Sequence, residues 1–446
     1  MGKVIGFIKG NLVIVISVVL ILAFLPTGYV FADKWNTKVR EEADAAYKKE
    51  KRALTSKGTI EYSVPAVLTS ERDLSESRAP NRIVTEYYLE RKAEREAQVE
   101  EVVERGTLFN QGDHEELVPG ILPKSPDDLT LKRLGRTMAE AIVGTTATPS
   151  VYQRKLQRLN AGSPPDPKIL ESILNEFKKN QEQRYMDADA AGKVGTAQAE
   201  ELNKSLISRR LGEYIGQSDA LTFYCSTNAF VSGGTKAPAG GRSGSSAMME
   251  NSEIPASVPR VSSIDEPMVF NWLWDYWVIS DVLDAVSLTN TDPQSGAMAV
   301  PSAPIKSVER IRISQLKLAE ETTPGASSRN TGAEPKQSLT GRIGGVPGSA
   351  YDIRTIEVVI VAASKDLPKF IDALGKTNYM TVIDLDIDDV DVWNDLEQGF
   401  YYGEDHVVRA RVQIESVWLR SWMVPLMPDQ VKQALGVPVA GAGFDG

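Results

Sequence analysis

The chain has 446 residues, of which 42% are hydrophobic, and it carries a formal net charge of −10 with a pI near 5.1. This acidic balance excludes a broadly basic surface for nucleic acid. The single cysteine, Cys225, excludes an intrachain disulfide, so burial alone is expected to hold the fold together. A lone cysteine fits an intracellular or bacterial periplasmic protein, and burial of Cys225 is expected rather than a link between two copies.

The first 32 residues are the most apolar part of the chain. Residues 12–25 include one weakly polar side chain, Ser17, and residues 29–32 extend the apolar run. Roughly 20 apolar residues are enough for a helix to cross a bilayer. The pattern predicts a transmembrane anchor over residues 1–32, with a short tail in front of it.

A cleaved signal peptide is the alternative for the same residues. In that case Lys3 and Lys9 form the positively charged n-region and Pro26 breaks the helix. Residues 30–32 are then the cleavage site. The length of the apolar run favours the anchor. The flanking charges do not decide its orientation, because Lys and Arg residues lie on both sides of the span.

Residues 33–57 are dense in Lys, Glu, Arg and Ala and predict a charged stalk helix. Trp35 and Val39 begin a weak apolar stripe at helical spacing. We expect this stripe to contact the stalk of a partner, as in a coiled coil, although sustained a and d positions are missing.

A mainly helical region of unknown role follows over residues 58–216. It contains a second charged helix, 82–105, and a proline-rich connector, 113–128. Apolar stripes at helical spacing predict three further helices, near residues 131–142, 169–177 and 202–215.

The pattern changes over residues 217–420, where aromatic and β-branched runs alternate with helical stripes. The predicted elements are strand 221–231, helix 268–288, strands 305–318 and 351–363, helix 365–376, and strands 379–393 and 407–419. Flexible inserts are predicted at 232–266 and 320–350, and a tail at 421–446 with a disordered end from residue 437. The order β-α-β-β-α-β, plus one strand, predicts an α+β chain ending in a ferredoxin-like antiparallel sheet domain.

One membrane helix, a charged stalk and such a domain resemble the PilO and PilN proteins of type IV pilus assembly, and the GspL and GspM components of type II secretion. FNWLWDYWVISDVLDAVS with its following strand resembles the first αβ unit. VVIVAASKDLPKFIDALGKTNYMTVIDLDI resembles the second. The likeness lies in the order of elements, without an invariant motif, and residues 55–216 are longer than the usual stalk region of that family.

The resemblance implies a non-enzymatic scaffold in a bacterial inner membrane. The short tail before the span is easily left in the cytoplasm, so we expect a cytoplasmic N-terminus and the bulk of the chain in the periplasm. Its expected partners are the lipid bilayer and other single-pass stalk proteins, in homo- or hetero-dimers. The alternative is a periplasmic or surface-exposed binding module or receptor, which requires a ligand pocket beside the Trp-rich helix.

Catalytic and cofactor motifs are missing from the sequence. The two histidines, His114 and His406, lie far apart, and no HExxH, CxxC or Walker A pattern occurs. A GxGxxG match at residues 441–446 ends the chain, without the helix that phosphate binding needs. We therefore expect neither an enzyme nor a cofactor protein.

The densest acidic constellation is Asp384, Asp386 and Asp388, followed by Asp389 and Asp391. Alternation with apolar residues predicts that the first three share one solvated strand face, where like charges protect an exposed sheet edge. A weak divalent-cation site at Asp384, Asp386 and Asp388 is the alternative, although the glycine of a calcium loop is absent.

Three tryptophans on the predicted helix 268–288 are the other candidate contact residues: Trp272, Trp274 and Trp277. Helical geometry places Trp272 and Trp274 about 200° apart, so the three cannot share one face. Packing of all three in the core is the leading interpretation, and exposure of at least one ring, with a partner contact, is the alternative.

Overall fold

The computed structural model describes residues 12–58, 60–67, 71–188, 195–230, 258–260, 263–314, 340–342 and 345–439. The chain divides into two units, one ending at Arg105 and one beginning at Gly106. Some predicted features lie outside the described residues: Lys3 and Lys9, most of the inserts 232–266 and 320–350, the strand end 315–318, and the glycines of residues 441–446.

The apolar run and the charged stalk form one continuous helix, α1 (Leu12–Lys57). Within it, Ile16–Ala53 is long and apolar enough to cross a membrane, with an 18-residue window of mean hydropathy 1.9 that is not buried at all. Pro26 lies inside α1 and does not end it. The hydroxyl of Thr27, the next residue, donates to the carbonyl of Ala23 within the helix at 2.7 Å.

The remainder of the first unit is a hairpin, β1 (Ile60–Val64) and β2 (Leu74–Arg78), followed by helix α2 (Arg82–Gln111), whose residues from Gly106 onward belong to the second unit. The predicted helix 82–105 is confirmed and runs six residues further. The ring of Tyr62 stacks on that of Tyr88 at 4.9 Å, and its hydroxyl lies 2.9 Å from that of Thr85. The hairpin itself was not predicted.

The second unit begins with helices that flank its sheet. They are α3 (Asp128–Val143), α4 (Val151–Arg158), α5 (Pro167–Ala188) and α6 (Thr196–Ala220). The three predicted apolar stripes lie in α3, α5 and α6. Helix α4 was missed, although Ser150 and Gln153 form a reciprocal capping box at its start.

A six-stranded sheet forms the centre of the second unit, in the order β3-β4-β7-β8-β10-β9. Its strands are β3 (Ala161–Gly162), β4 (Phe223–Tyr224), β7 (Ile305–Ile313), β8 (Tyr351–Ala363), β9 (Met380–Asp389) and β10 (Val407–Leu419), and a separate small hairpin joins β5 (Thr291–Asp292) to β6 (Gly296–Ala297). The neighbouring pairs β7/β8, β8/β10 and β10/β9 are antiparallel, and the pairs β3/β4 and β4/β7 are parallel. The chain is thus a mixed α+β protein.

The later helices are α7 (Glu266–Thr289), α8 (Leu367–Thr377), α9 (Val392–Glu397), α10 (Arg420–Met423) and α11 (Asp429–Ala434). Helix α7 packs against α8 and β7. Alternate residues of the central strands point toward these helices and form the main core, for example Val358 on β8 and Val412 on β10. An α-β-β order therefore occurs twice, as α7-β7-β8 and as α8-β9-β10 with α9 between the two strands.

Two predicted strands are shorter than expected. The strand predicted over 221–231 is only Phe223–Tyr224, because Thr227–Ala229 turns into a 3-10 helix and Ala229 N–H donates to the carbonyl of Ser226. The strand predicted over 379–393 ends at Asp389. The Asp391 carboxylate accepts from the backbone N–H of Asn394 at 3.1 Å and starts α9 there.

Lys306 on β7 is a buried lysine that pairs with Asp405. The side chain of Lys306 is fully buried, and its Nζ donates to the carbonyls of Val300 and Pro301 and to Asp405 at 3.2 Å. Lys365 reaches the other oxygen of Asp405 at 2.7 Å. The hydrogen bond from Lys365 is the largest cause that lowers the pKa of Asp405. Burial lowers the pKa of Lys306.

We expect Asp405→Asn to flatten the acid limb of the stability curve. A carboxylate with a lowered native pKa stabilises the fold above its unfolded pKa, and that contribution is lost as pH falls through the native pKa. The fall in melting temperature between about pH 5 and pH 2 should therefore be smaller in the variant than in the wild type. Thermal unfolding followed by circular dichroism measures it. Asp372→Asn, at an exposed side chain, should follow the wild-type curve; an unchanged acid limb in Asp405→Asn contradicts the assignment.

Candidate partner-binding surface

Strand β9 is the last strand of the sheet, and β10 is its one partner among the described strands. Asp384, Asp386 and Asp388 are exposed on it, as the sequence alternation predicts. Their partners across the ladder are alternate residues of β10, so the three carboxylates share one face of the sheet.

The charge on this face is predominantly negative. Asp386 lies opposite Arg411, and Asp388 lies opposite Arg409. However, Arg409 forms a two-pronged ion pair with Glu309 at 2.9–3.1 Å, and the hydrogen bond from Glu309 is the largest cause that raises the pKa of Arg409. Glu309 thus neutralises Arg409, which leaves Arg411 as the cation facing the three aspartates from β10.

The alternative of a cation site at Asp384, Asp386 and Asp388 gains no support from this geometry. Successive side chains on one strand face are separated by about 7 Å, too far to converge on one ion. Among the described residues, no group of three or more His, Cys, Asp and Glu side chains lies close enough to hold a metal.

Apolar side chains are exposed beside the acidic row. Ile387, on the opposite face of β9, is 53% exposed. Helix α9 begins directly after the strand and carries Trp393, which is 78% exposed, next to Val392. A tryptophan this exposed is unusual for a side chain that proteins bury or place at interfaces. We define the β9 edge surface as Asp384, Asp386, Ile387, Asp388 and Trp393.

The tryptophans predicted for partner contact have a different environment. Trp272, Trp274 and Trp277 are each at most 1% exposed, which confirms the core packing and makes the alternative, an exposed partner contact on this helix, wrong. Helix α7 is covered on nearly all sides, so indoles that point in different directions are all buried. The Arg354 guanidinium lies 4.7 Å from the ring centre of Trp274, and it pairs with Asp275.

Trp277, Trp418 and Trp422 form an aromatic cluster around His114. The sequence analysis did not predict this cluster. The His114 ring lies 5.3 Å from that of Trp418 and stacks on that of Trp422 at 5.9 Å. Its Nε2 lies 2.8 Å from Asp281 Oδ1. Burial is the largest cause that raises the pKa of Asp281, and His114 opposes it.

Two asparagines connect this cluster to the sheet. Asn378 donates to Asp281 Oδ2 at 2.7 Å and accepts from Asn110 at 2.8 Å. Asn110 Oδ1 accepts from Leu419 N–H and from Trp422 Nε1. Every bond of this network joins segments far apart in the chain, and the network holds the residues around 110–114 against α7 and β10. These bonds between distant segments indicate a structural role for the network, although the buried Nδ1 of His114 has no hydrogen-bond partner among the described residues.

The remaining residues singled out in the sequence lie on α1, in the core and on the surface. Trp35 and Val39 are 74% and 49% exposed on α1, where they are free to contact a partner or the membrane surface, and this role stays a prediction. Cys225 is buried as predicted. Burial raises the pKa of its thiol, which disfavours a reactive thiolate. His406 lies beside Ser364 on the surface, far along the chain from the His114 cluster.

No protein-family model matches this chain, and no curated protein matches its sequence. Among solved structures, the chain is similar to the crystal structure of the type 4 fimbrial biogenesis protein PilO from Pseudomonas aeruginosa. The identity is 17%, the match covers 16% of this chain and 44% of that one, and the TM-score is 0.12. The chain thus matches less than half of the length of that protein.

Proposed function

We propose that this protein is a non-enzymatic, membrane-anchored scaffold in the assembly platform of a type IV pilus or type II secretion system. The observation that carries the proposal is α1, in which an apolar span continues without a break into a charged, exposed stalk. At 1.5 Å per residue the whole helix is about 69 Å long, of which about 37 Å lies beyond residue 32. Such a helix suits a protein that holds partners at a fixed distance from a bilayer.

The topology of the second unit supports the same role. We propose that the two α-β-β repeats form a circularly permuted ferredoxin-like domain, which is supported by the strand order β7-β8-β10-β9 and its antiparallel pairing. We propose that this domain is PilO-like and acts through protein contacts, in a homo- or hetero-dimer. The bonds of the His114 network join distant segments of this domain, which supports a structural role for these polar groups.

For the location, we propose the bacterial inner membrane, with the residues before α1 in the cytoplasm and those after it in the periplasm. The single buried cysteine is compatible with an oxidising periplasm, because a buried thiol is protected from disulfide exchange. The sidedness is testable by thiol labelling of cysteines introduced at Gly6, before the span, and at Ala45, in the stalk after it.

Full-length protein is expected to stay in the membrane pellet after extraction with alkaline carbonate, whereas a variant lacking residues 2–32 is expected in the supernatant. The reason is that roughly 20 apolar residues favour the bilayer strongly over water. Mass spectrometry of the N-terminus is the second readout. A mature protein beginning after Ala32 contradicts the anchor and establishes a cleaved signal peptide instead.

The experiment that tests the scaffold role is crosslinking in native membranes, followed by purification in mild detergent and mass spectrometry. We expect a second single-pass stalk protein among the crosslinked partners, together with a cytoplasmic component of the same machine. Trp35→Ala with Val39→Ala should reduce stalk crosslinks if these exposed residues contact that partner. Recovery of the intact, membrane-embedded protein alone contradicts the proposal.

A further inference from the structure

We propose that the β9 edge surface binds an extended strand of a different protein, in which basic and apolar side chains alternate. The inference rests on the proposed scaffold role and names the chemistry of one of its partners. It is carried by the free edge of β9, by the charge of its aspartate face, and by the apolar residues exposed beside it.

The edge is available for strand addition. Strand β9 has ten residues, of which the six after a bulge at Ile383 form a regular edge of about 20 Å, and its outer side pairs with no other strand among the described residues. Proteins usually shorten, cover or bend so long an edge, because its unpaired backbone groups are a template for another strand. An added strand places its side chains within about 5.5 Å of those of β9.

The charge of the aspartate face selects a basic partner. Asp384, Asp386 and Asp388 are exposed on one side of β9, and Glu309 already neutralises Arg409 behind them. Lysine or arginine at every second position of an added strand lies directly opposite these carboxylates. Opposite charges at cross-strand positions stabilise a sheet, and like charges destabilise it.

The same charges disfavour a second copy of this chain as the occupant. If two β9 strands pair antiparallel around Asp386 with their polar faces on the same side, Asp384 of each copy lies opposite Asp388 of the other. Asp386 then lies opposite itself. A partner of different sequence avoids all three repulsive pairs.

Protection of the edge by charge alone explains the aspartates but not their apolar neighbours. Ile387 and Trp393 are 53% and 78% exposed, and neither is needed to repel another strand. A partner that alternates basic and apolar residues covers Ile387 on one face while it neutralises the aspartates on the other. Trp393, on the helix that follows β9, offers a large apolar contact at the end of the β9 edge surface.

Binding of labelled peptides to the full-length protein in nonionic detergent tests the proposal. The probe is a fluorescein-labelled ten-residue peptide of alternating Lys and Val, measured by anisotropy. A ten-residue peptide of alternating Lys and Pro has the same charge, but every second residue lacks an N–H donor and the prolines favour polyproline II over a strand. We expect the Lys-Val peptide to bind at least about tenfold more tightly than the Lys-Pro peptide.

Two sets of variants locate the site. The triple variant Asp384→Lys, Asp386→Lys, Asp388→Lys should weaken Lys-Val binding at least about tenfold. The control Asp372→Lys, Glu404→Lys, Asp429→Lys changes the net charge equally at exposed positions elsewhere and should have a much smaller effect. Trp393→Ala, at an exposed side chain, should weaken binding without lowering the melting temperature.

Equal affinity for the two peptides overturns the proposal, because it indicates charge attraction without strand pairing. Equal effects of the two triple variants overturn it as well. Dimers crosslinked between β9 edges of two copies indicate that this chain is its own occupant and also contradict it. These results are independent of the native-membrane crosslinking, whose failure contradicts the scaffold role even if the edge binds the peptide.

Discussion

Arg420→Met is expected to lower the free energy of unfolding of the second unit by about 3–5 kcal/mol, the cost of breaking a buried ion pair on one side. Arg420 donates to both carboxylate oxygens of Asp352, at 2.9 and 2.7 Å, and both side chains are at most 8% exposed. It also donates to the carbonyls of Val346, Ser349 and Leu435. Methionine fills much of the volume but leaves the Asp352 charge and three acceptors without this donor.

Urea unfolding followed by tryptophan fluorescence measures the effect, since five of the seven tryptophans lie in or against the core of this unit. The matched control is Lys376→Met, which breaks the exposed pair with Asp372 and should cost less than about 1 kcal/mol. The double variant Arg420→Met, Asp352→Leu should lose less than Arg420→Met alone, because no buried carboxylate remains unpaired. Equal losses in Arg420→Met and Lys376→Met contradict the assignment.

Arg420 begins a segment whose structure differs from the sequence prediction. Residues 421–446 were predicted as a tail, yet Met427 and Val431 are fully buried and α11 packs on the core. The short helices there have too few residues for a periodic signal. Arg420 donates to the carbonyl of Leu435 and so holds this segment against the core. Such a tertiary contact leaves no local pattern in the sequence.

Strands β8 and β10 were predicted to the residue, because β8 ends in a continuous β-branched apolar run and β10 alternates apolar with polar residues. The end of β9 was missed since the continuing apolar pattern at Val390, Val392 and Trp393 suits a strand, whereas Asp391 caps a helix there. The sequence did carry that signal, as an aspartate three residues before Asn394.

The candidate surface was predicted in part. The solvated face of Asp384, Asp386 and Asp388 followed from alternation, but the position of β9 at the edge depends on strand order, which a single sequence does not encode locally. Burial of Trp272, Trp274 and Trp277 depends on what covers α7 from each side. The contact between His114 and Asp281 joins residues 167 apart, and no spacing rule connects them.

Trp418→Ala is expected to cost about 3–5 kcal/mol of unfolding free energy, the range for removing a large aromatic side chain from a packed core. Trp418 is fully buried. Its ring centre lies 6.0 Å from that of Trp274, 6.3 Å from that of Trp277 and 5.9 Å from that of Trp422. These neighbours belong to two elements, α7 and the segment after β10, so the surrounding structure has little freedom to close the cavity.

Trp393→Ala is the matched control, since the same chemical change at a 78% exposed side chain should shift stability by less than about 0.5 kcal/mol. Trp418→Phe separates ring volume from polar bonding. The indole Nε1 of Trp418 has no hydrogen-bond acceptor among the described residues, so phenylalanine loses packing but no hydrogen bond and should cost clearly less than alanine. Urea unfolding followed by circular dichroism avoids the loss of a fluorophore. Similar costs for Trp418→Ala and Trp393→Ala contradict the placement of Trp418 in the core, and they also remove the physical basis for treating Trp393 as the tryptophan that is available to a partner.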